Sequence, residues 1–273
     1  MMTWLITGCS TGIGRGIAKA ALDSGDQVVV TARNLSRIED FPKAYPDTCL
    51  ILPLDLTDQT SMENAVSKAI DRFGKIDVLV NNAGYGYRAA VEESEEEEIG
   101  LLFQTNVFGP TALMNLCLPY MRGKKSGVIV NISSIGAVRA AVGNGWYSAS
   151  KAALELIGDA VGKEAAHIGI RVITVEPGAF RTSFYDSLHG SENVIADYTP
   201  SVGDMRLDRM KNHHDQKGNP EKAGQLLVEL IHSGKYPKRL PFGSDAVRII
   251  ETELRDRLAE MEAWKAESIK TDD

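Results

Sequence analysis

Short apolar runs separated by stretches of helical periodicity constrain this chain more than any other feature. Trp4–Thr7, Gln27–Thr31, Cys49–Leu54, Ile76–Val80, Gly127–Ile132 and Ile170–Val175 are each four to six residues long. Between them lie helical patterns at Gly14–Ser24, Ser61–Phe73, Ser94–Met121 and around Tyr147. Runs this short and this continuously apolar read as strands covered on both faces. Their alternation with helices predicts right-handed crossovers and a parallel sheet. The expected fold is α/β, a doubly wound, mainly parallel sheet with helices on both faces. A further strand at Arg239–Phe242 would make it seven-stranded. Ligands of such sheets bind at the C-terminal strand ends.

With 273 residues and 43% apolar side chains, the chain can bury one large core, and 1–273 is read as one domain. The net charge of −7 and pI near 5.4 argue against a nucleic-acid partner. No apolar run approaches the length of a membrane span. The start of the chain lacks the charged stretch of a signal peptide. Three separated cysteines fit a cytoplasmic setting and suggest neither disulfides nor a metal site. Beyond Pro177 the pattern breaks. Residues 183–219 are polar and glycine-containing, include His213-His214, and read as a substrate lid. Helical periodicity resumes near Pro220, and a charged helix is expected at about 246–265. In the acidic run Glu92–Glu98, Ser94 and Glu97 have the spacing of a capping box.

The turn after the first strand, Thr7-Gly8-Cys9-Ser10-Thr11-Gly12-Ile13-Gly14, opens the first helix. Glycines there let backbone approach a pyrophosphate, and the helix N-terminus offers free N–H groups to it. The second strand ends in Thr31-Ala32-Arg33, without the carboxylate that would bind an adenosine ribose. Arg33 can instead bond a 2′-phosphate, so NADP(H) is expected in preference to NAD(H). Asp55, followed by Leu56, stands where a carboxylate could accept from an adenine amino group. Asn81-Asn82-Ala83-Gly84, at the end of the fourth strand, could line the same cleft. Tyr147 and Lys151 are one helical turn apart, and a cation beside a phenol favours its ionisation.

Together these motifs resemble the short-chain dehydrogenase/reductase family of Rossmann-fold enzymes. Thr7 to Gly14 matches its Thr-Gly-x-x-x-Gly-x-Gly pattern, Asn81–Gly84 its Asn-Asn-Ala-Gly, and Tyr147 to Lys151 its Tyr-x-x-x-Lys. Asn106 in Thr-Asn-Val-Phe-Gly, Ser134 and the set Pro177, Gly178 and Thr182 match further family positions. Of the adjacent Ser133 and Ser134, the family spacing to the tyrosine selects Ser134, thirteen residues before Tyr147. The resemblance implies hydride transfer from reduced nicotinamide to a carbonyl carbon. Tyr147 would exchange the proton, and Ser134 would donate to the substrate oxygen. Lys151 would lower the phenol pKa and bind the nicotinamide ribose. Asn106, in a helix interrupted near Gly109-Pro110, would hold a water, while Phe180 and Thr182 would hold the carboxamide. It also implies a homodimer or homotetramer through the long helices at about 94–121 and 147–167.

The segments Gly84–Tyr87 and Leu240–Asp245 resemble family members described as 17β-hydroxysteroid-dehydrogenase-like or general oxidoreductases. Tyr85, Tyr87, Ser134, Val138, Trp146, Phe184 and Tyr185 are candidate substrate contacts. Their bulk suggests a small, largely apolar ketone, aldehyde or alcohol. Met205, His213 and His214 are weaker candidates, and no metal site is expected. A non-catalytic NADP(H)-binding redox sensor is the alternative, although it would not need Ser134, Tyr147 and Lys151 together.

Overall fold

Alternation along the strands decides the layers. Trp4 and Ile6 enter one core and Leu5 the other, and Val28, Val30 and Val29 divide the same way. The computed structural model describes residues 1–208 and 215–273. Its strands are β1 (Thr3–Ile6), β2 (Gln27–Ala32), β3 (Cys49–Pro53), β4 (Val78–Asn81), β5 (Gly127–Ile132), β6 (Ile170–Pro177) and β7 (Arg239–Phe242). They form one seven-stranded sheet in the order β3-β2-β1-β4-β5-β6-β7, every pair parallel. The strand order reverses between β1 and β4, which opens a crevice at their C-terminal ends.

On the first face, α1 (Gly12–Asp23) and α2 (Asp40–Ala44) pack with α9 (Pro220–Ser233). On the second lie α3 (Gln59–Phe73), α5 (Gly109–Lys124) and α7 (Gly145–Ala165). Between β4 and α5 stands α4 (Glu96–Phe103), and α6 (Ile135–Val138) follows β5. Helix α8 (Thr199–Asp208) lies between β6 and α9, and α10 (Ser244–Ser268) follows β7. Helix α9 crosses α1 at backbone contact. A Cβ on Gly224 would stand 2.2 Å from the Gly16 carbonyl oxygen. The buried Asp26 carboxylate ties this layer together by accepting from the Met2 N–H (2.7 Å) and the Trp4 indole (2.8 Å).

Three expectations need correction. The helix expected over Ser94–Met121 is two helices joined by a π-turn at Gln104–Phe108, just ahead of Gly109-Pro110. Ser94 and Glu97 do not form a capping box. The Ser94 hydroxyl donates back to the Ala90 carbonyl (3.0 Å), and Glu95 caps α4 without a side-chain bond. The stretch 183–219 is not wholly irregular, since it contains short 3₁₀ turns at Tyr185–Ser187 and Ala196–Tyr198 and the helix α8. His213 and His214 lie outside the described residues. Cys9, Cys49 and Cys117 are buried thiols. Among the described residues no helix is long and apolar enough to cross a membrane, and no His, Cys, Asp and Glu group has metal-binding geometry.

Candidate active site

The ends of β1 and β4 are stitched by polar atoms. The Thr7 hydroxyl accepts from the backbone N–H groups of Asn82 and Ala83, both at 2.9 Å. The Asn82 amide donates to the carbonyls of Thr7 (2.8 Å) and Gly8 (3.1 Å). This holds the glycine turn open. Gly8 and Gly12 have φ of +72° and +64°, which side chains rarely tolerate. Ser10, Thr11, Ile13 and Gly14 complete the turn into α1. Thr11 caps α1 without a side-chain bond, and its first turn carries no acidic residue. The donor set and the glycine cradle therefore suit a bound pyrophosphate.

Arg33 is exposed at the end of β2. The Asp55 carboxylate lies within its electrostatic reach. Burial pushes this carboxyl up, but Thr57 donors and Arg33 outweigh it and hold it below its usual range. One Asp55 oxygen accepts from the Thr57 N–H (2.9 Å) and hydroxyl (2.7 Å). Leu56 is buried beside α5, its carbonyl 2.5 Å from where a Cβ of Gly109 would lie. The rim of the cleft thus runs from the glycine turn to Arg33 and Asp55.

Tyr147 and Lys151 project from α7 and are 9% and 5% exposed. The Lys151 ammonium donates to the Ile132 carbonyl at 3.0 Å and stands 5.9 Å from the Tyr147 ring centroid. Burial pushes the Tyr147 phenol up to about 12, opposed by the Ser134 hydroxyl and the Arg88 guanidinium. Burial also pulls Lys151 down to about 8, opposed by the Glu155 carboxylate. The expected lowering of the phenol by Lys151 does not appear; desolvation disfavours charge on both groups. Ser134 caps α6, its oxygen accepting from the Gly136 N–H at 3.0 Å. Ser133 is buried near the Glu155 carboxylate, and its hydroxyl makes no hydrogen bond to Tyr147.

Asn106 sits in the π-turn, fully buried. Its oxygen accepts from the Tyr85 N–H (3.2 Å), and its amide donates to the Tyr85 carbonyl (3.0 Å) and the Ser150 hydroxyl (3.1 Å). Ser150 in turn donates to the Tyr147 carbonyl at 2.7 Å. Asn106 therefore joins the β4 loop to the helix of Tyr147. Gly84 lies over both groups, and a Cβ there would stand 2.8 Å from the Asn106 oxygen and 3.3 Å from the Lys151 nitrogen.

The chain beyond β6 closes over these residues. The Gly178 N–H donates to the Phe242 carbonyl, extending the pairing at Pro177, and Phe180 is buried against Phe242. Thr182 lies against Gly12, and the Ser183 hydroxyl donates to Thr11 at 2.7 Å. The Phe184 ring is 5.8 Å from that of Tyr147, with Tyr185 edge-on to Phe184.

The substrate candidates divide. Ser134, Phe184 and Tyr185 gather around Tyr147. Tyr87 is 1% exposed in a small core with Ala89 and Leu102, and its hydroxyl donates to Glu95 at 2.9 Å. Tyr85 and Trp146 pack on that core, Tyr85 stacking with His189 (4.5 Å) and Trp146 edge-on to Phe103 (6.4 Å). The Val138 carbonyl accepts from Arg257 of α10, and Met205 lies beside Gly143.

Sequence reading missed Arg88, Glu155 and Ser183. Arg88 is 9% exposed, acts on the Tyr147 phenol and lies 5.8 Å from the Tyr185 ring. A charge directly after Gly84–Tyr87, in a loop that ends at a strand terminus, was the available signal. Ser183 offered none, because its bond to Thr11 spans 172 positions.

The short chain dehydrogenase family model matches residues 2–193. A 3-ketodihydrosphingosine reductase from Bacteroides thetaiotaomicron is 36% identical, over 88% of this chain and 87% of its own. An oxidoreductase from Botryotinia fuckeliana is 31% identical over 97% of both. The crystal structure of a short-chain dehydrogenase from Streptomyces avermitilis superposes with a TM-score of 0.92 at 40% identity, covering 100% of each chain. A 3-ketoacyl-(acyl-carrier-protein) reductase from Brucella melitensis, complexed with NADH, superposes with a TM-score of 0.73 at 25% identity, over 88% of this chain and 96% of its own. With the family model covering most of its length and the glycine turn, Tyr147 and Lys151 all at the C-terminal edge of the sheet, this chain belongs to the short-chain dehydrogenase family of oxidoreductases.

Proposed function

We propose that the protein is an NADP(H)-dependent carbonyl reductase or alcohol dehydrogenase acting on a small, largely apolar substrate. The observation that carries this reading is the buried Tyr147 phenol. It holds its proton at neutral pH, lies beside the Ser134 hydroxyl, and belongs to a helix whose Lys151 sits at the same sheet edge as the glycine turn. A protonated phenol is the form needed to give a proton to a developing alkoxide. Reduced nicotinamide, when bound, supplies the hydride. Gly8, Ser10, Thr11, Gly12, Ile13 and Gly14 would hold its pyrophosphate, and Arg33 a 2′-phosphate. Asp55 and Leu56 would flank the adenine, while Asn82, Ala83 and Gly84 would line the cleft. Pro177, Gly178, Phe180 and Thr182 would fix the nicotinamide end. Ser134 donates to the substrate oxygen as negative charge grows there. Lys151 stabilises the charge left on Tyr147, and Asn106 keeps the β4 loop in register with α7. The described parts of segment 183–219 serve as the substrate lid, with Phe184 and Tyr185 as its inner wall. The 3-ketoacyl and 3-ketodihydrosphingosine substrates named for two relatives support a ketone substrate.

Purified protein should oxidise NADPH in the presence of some member of a ketone and aldehyde panel. Tyr147→Phe should lose at least about a hundredfold in kcat, in line with loss of a positioned acid, while still binding NADPH. Arg33→Ala should weaken NADPH by about 1.5–3 kcal/mol, the worth of a charged hydrogen bond, and leave NADH nearly unchanged. Absence of dinucleotide binding would sink the reading, and equal weakening of both dinucleotides would remove Arg33 from it.

A further inference from the structure

The acidic run Glu92–Glu98 faces the segment that covers Tyr147, and Glu92, Glu93, Glu95 and Glu98 are engaged by that segment. Glu93 is 1% exposed although it is a carboxylate. One of its oxygens accepts from the Ala90 N–H at 3.0 Å, at the end of the loop that carries Tyr85–Arg88. The other accepts from the Ile195 N–H at 2.9 Å, across the site. The Ser191 hydroxyl lies 2.6 Å from the Glu93 carbonyl and 2.7 Å from Glu95 Oε1, sharing one hydrogen between them. The other Glu95 oxygen accepts from Tyr87 at 2.9 Å. Glu92 accepts from the Tyr198 hydroxyl at 2.5 Å, and Glu98 lies 3.2 Å from His189 Nδ1. His189 adds backbone bonds, its N–H to the Gly86 carbonyl and its carbonyl from the Arg88 N–H, both at 2.9 Å.

Surface carboxylates at a helix N-terminus need no partner across the molecule, since the helix dipole already favours them. Glu96 and Glu97 behave that way and stay exposed. Glu93 does not. Burying a carboxylate is costly unless donors surround it, and its donors come from both walls of the pocket. The Ser191 hydroxyl, outweighing burial together with the Tyr87 hydroxyl, holds Glu95 below the usual carboxylate range. At neutral pH Glu95 therefore receives these bonds as an anion, which strengthens them.

We infer that Glu93, supported by Glu95, is a positioning residue for the substrate site, holding residues 184–198 against the 84–90 loop so that Phe184 and Tyr185 stay over Tyr147. This rests on the reductase reading for its kinetic consequence but not for its structural one. Glu93→Gln keeps the shape and one acceptor while turning an NH₂ group toward a backbone N–H. Ser191→Ala removes the donor from the opposite wall and spares the buried carboxylate, so it serves if the first variant folds poorly. Amide hydrogen exchange of residues 186–198 should accelerate about tenfold or more in either variant. KM for a carbonyl substrate should rise about tenfold, with kcat changed less than threefold and NADPH affinity unchanged. Unchanged exchange in the folded variants overturns the inference, as does a loss confined to kcat. Faster exchange in a protein that reduces no carbonyl upholds the tether and rejects the reductase reading instead.

Discussion

Burial moves both members of the Tyr147–Lys151 pair toward their uncharged forms, and the consequences differ. For Tyr147 the rise to about 12 keeps the proton in place. For Lys151 the fall from 10.5 to about 8 means that the folded protein carries a buried cation at neutral pH against the preference of its surroundings. Glu155, one turn further along α7, opposes this fall and belongs to a cluster in which Arg239 lies 3.6 Å from Glu155 and 4.0 Å from Glu176. Below pH 8 Lys151 is charged in both the folded and the unfolded chain, and the folded state bears the full cost. Between pH 8 and 10.5 only the unfolded chain is protonated, so the cost drains away as pH rises. Lys151→Met removes the titration. Its stability relative to the parent should therefore fall by about 2–3 kcal/mol between about pH 7 and about pH 10, because each pH unit between the two pKa values is worth ~1.4 kcal/mol. The lost bond to the Ile132 carbonyl and the titration of Tyr147 are common to both pH values or both proteins and drop out of the difference. Denaturant unfolding of the two proteins at the two pH values measures it, and a pH-independent difference would show that Lys151 is not desolvated.

At the scale of elements, the crossing of α1 and α9 fixes where the glycine turn points, because α1 begins at that turn. The helices meet at Gly16 and Gly224 with no side chain between them. Gly224→Ala places a methyl 2.2 Å from the Gly16 carbonyl oxygen, so backbone has to move. Overpacking of this kind costs about 1–3 kcal/mol. Leu226→Ala on the same helix, 44% exposed, should stay within about 0.5 kcal/mol. Thermal unfolding of both variants should separate them, and equal midpoints would mean the helices can part without cost. The strands and the long helices of both faces were legible in the sequence because a buried parallel strand and an amphipathic helix each print a period on it, whereas the five-residue α2 went unread. Gly127–Ile132 was read to the residue, and the last strand was expected to include Arg239–Phe242. Of the π-turn at Gln104–Phe108 the sequence showed only an interruption near Gly109-Pro110, since the turn inserts one residue into an otherwise helical pattern. The glycine turn was singled out by its place after the first strand, Tyr147 and Lys151 by their one-turn spacing, and Ser134 by the family spacing to Tyr147. The assignment of Ser94 and Glu97 to a capping box failed. A local spacing rule cannot see that Glu93 and Glu95 are claimed by Ser191 and Ile195, about a hundred residues away.

At the scale of the whole molecule, two groups stand out among the exposed apolar side chains of the described residues. Leu101, Phe108 and Tyr120 are 41%, 55% and 42% exposed along α4, the π-turn and α5, and Leu156 on α7 is 69% exposed. These are the helices through which the family resemblance implies association. Large apolar residues exposed on neighbouring helices are a liability for a monomer and suit a face shared between copies. A second set, Leu254, Leu258, Met261 and Trp264, runs along α10, each at least half exposed. The two sets make different demands. The first lies on helices already fixed to the sheet, so pairing there costs little ordering. The second lies on a helix whose last turns are exposed on all sides, and pairing would have to order it as well. The α4–α5–α7 face should therefore carry the primary contact. Light scattering of the intact protein should give a multiple of its 29.7 kDa mass. Phe108→Asp combined with Leu156→Asp should bring it to one chain, because each charge would be buried without a partner, whereas Leu258→Asp with Trp264→Asp should leave the assembly intact. A monomeric parent protein, or dissociation by the α10 pair alone, would refute this assignment.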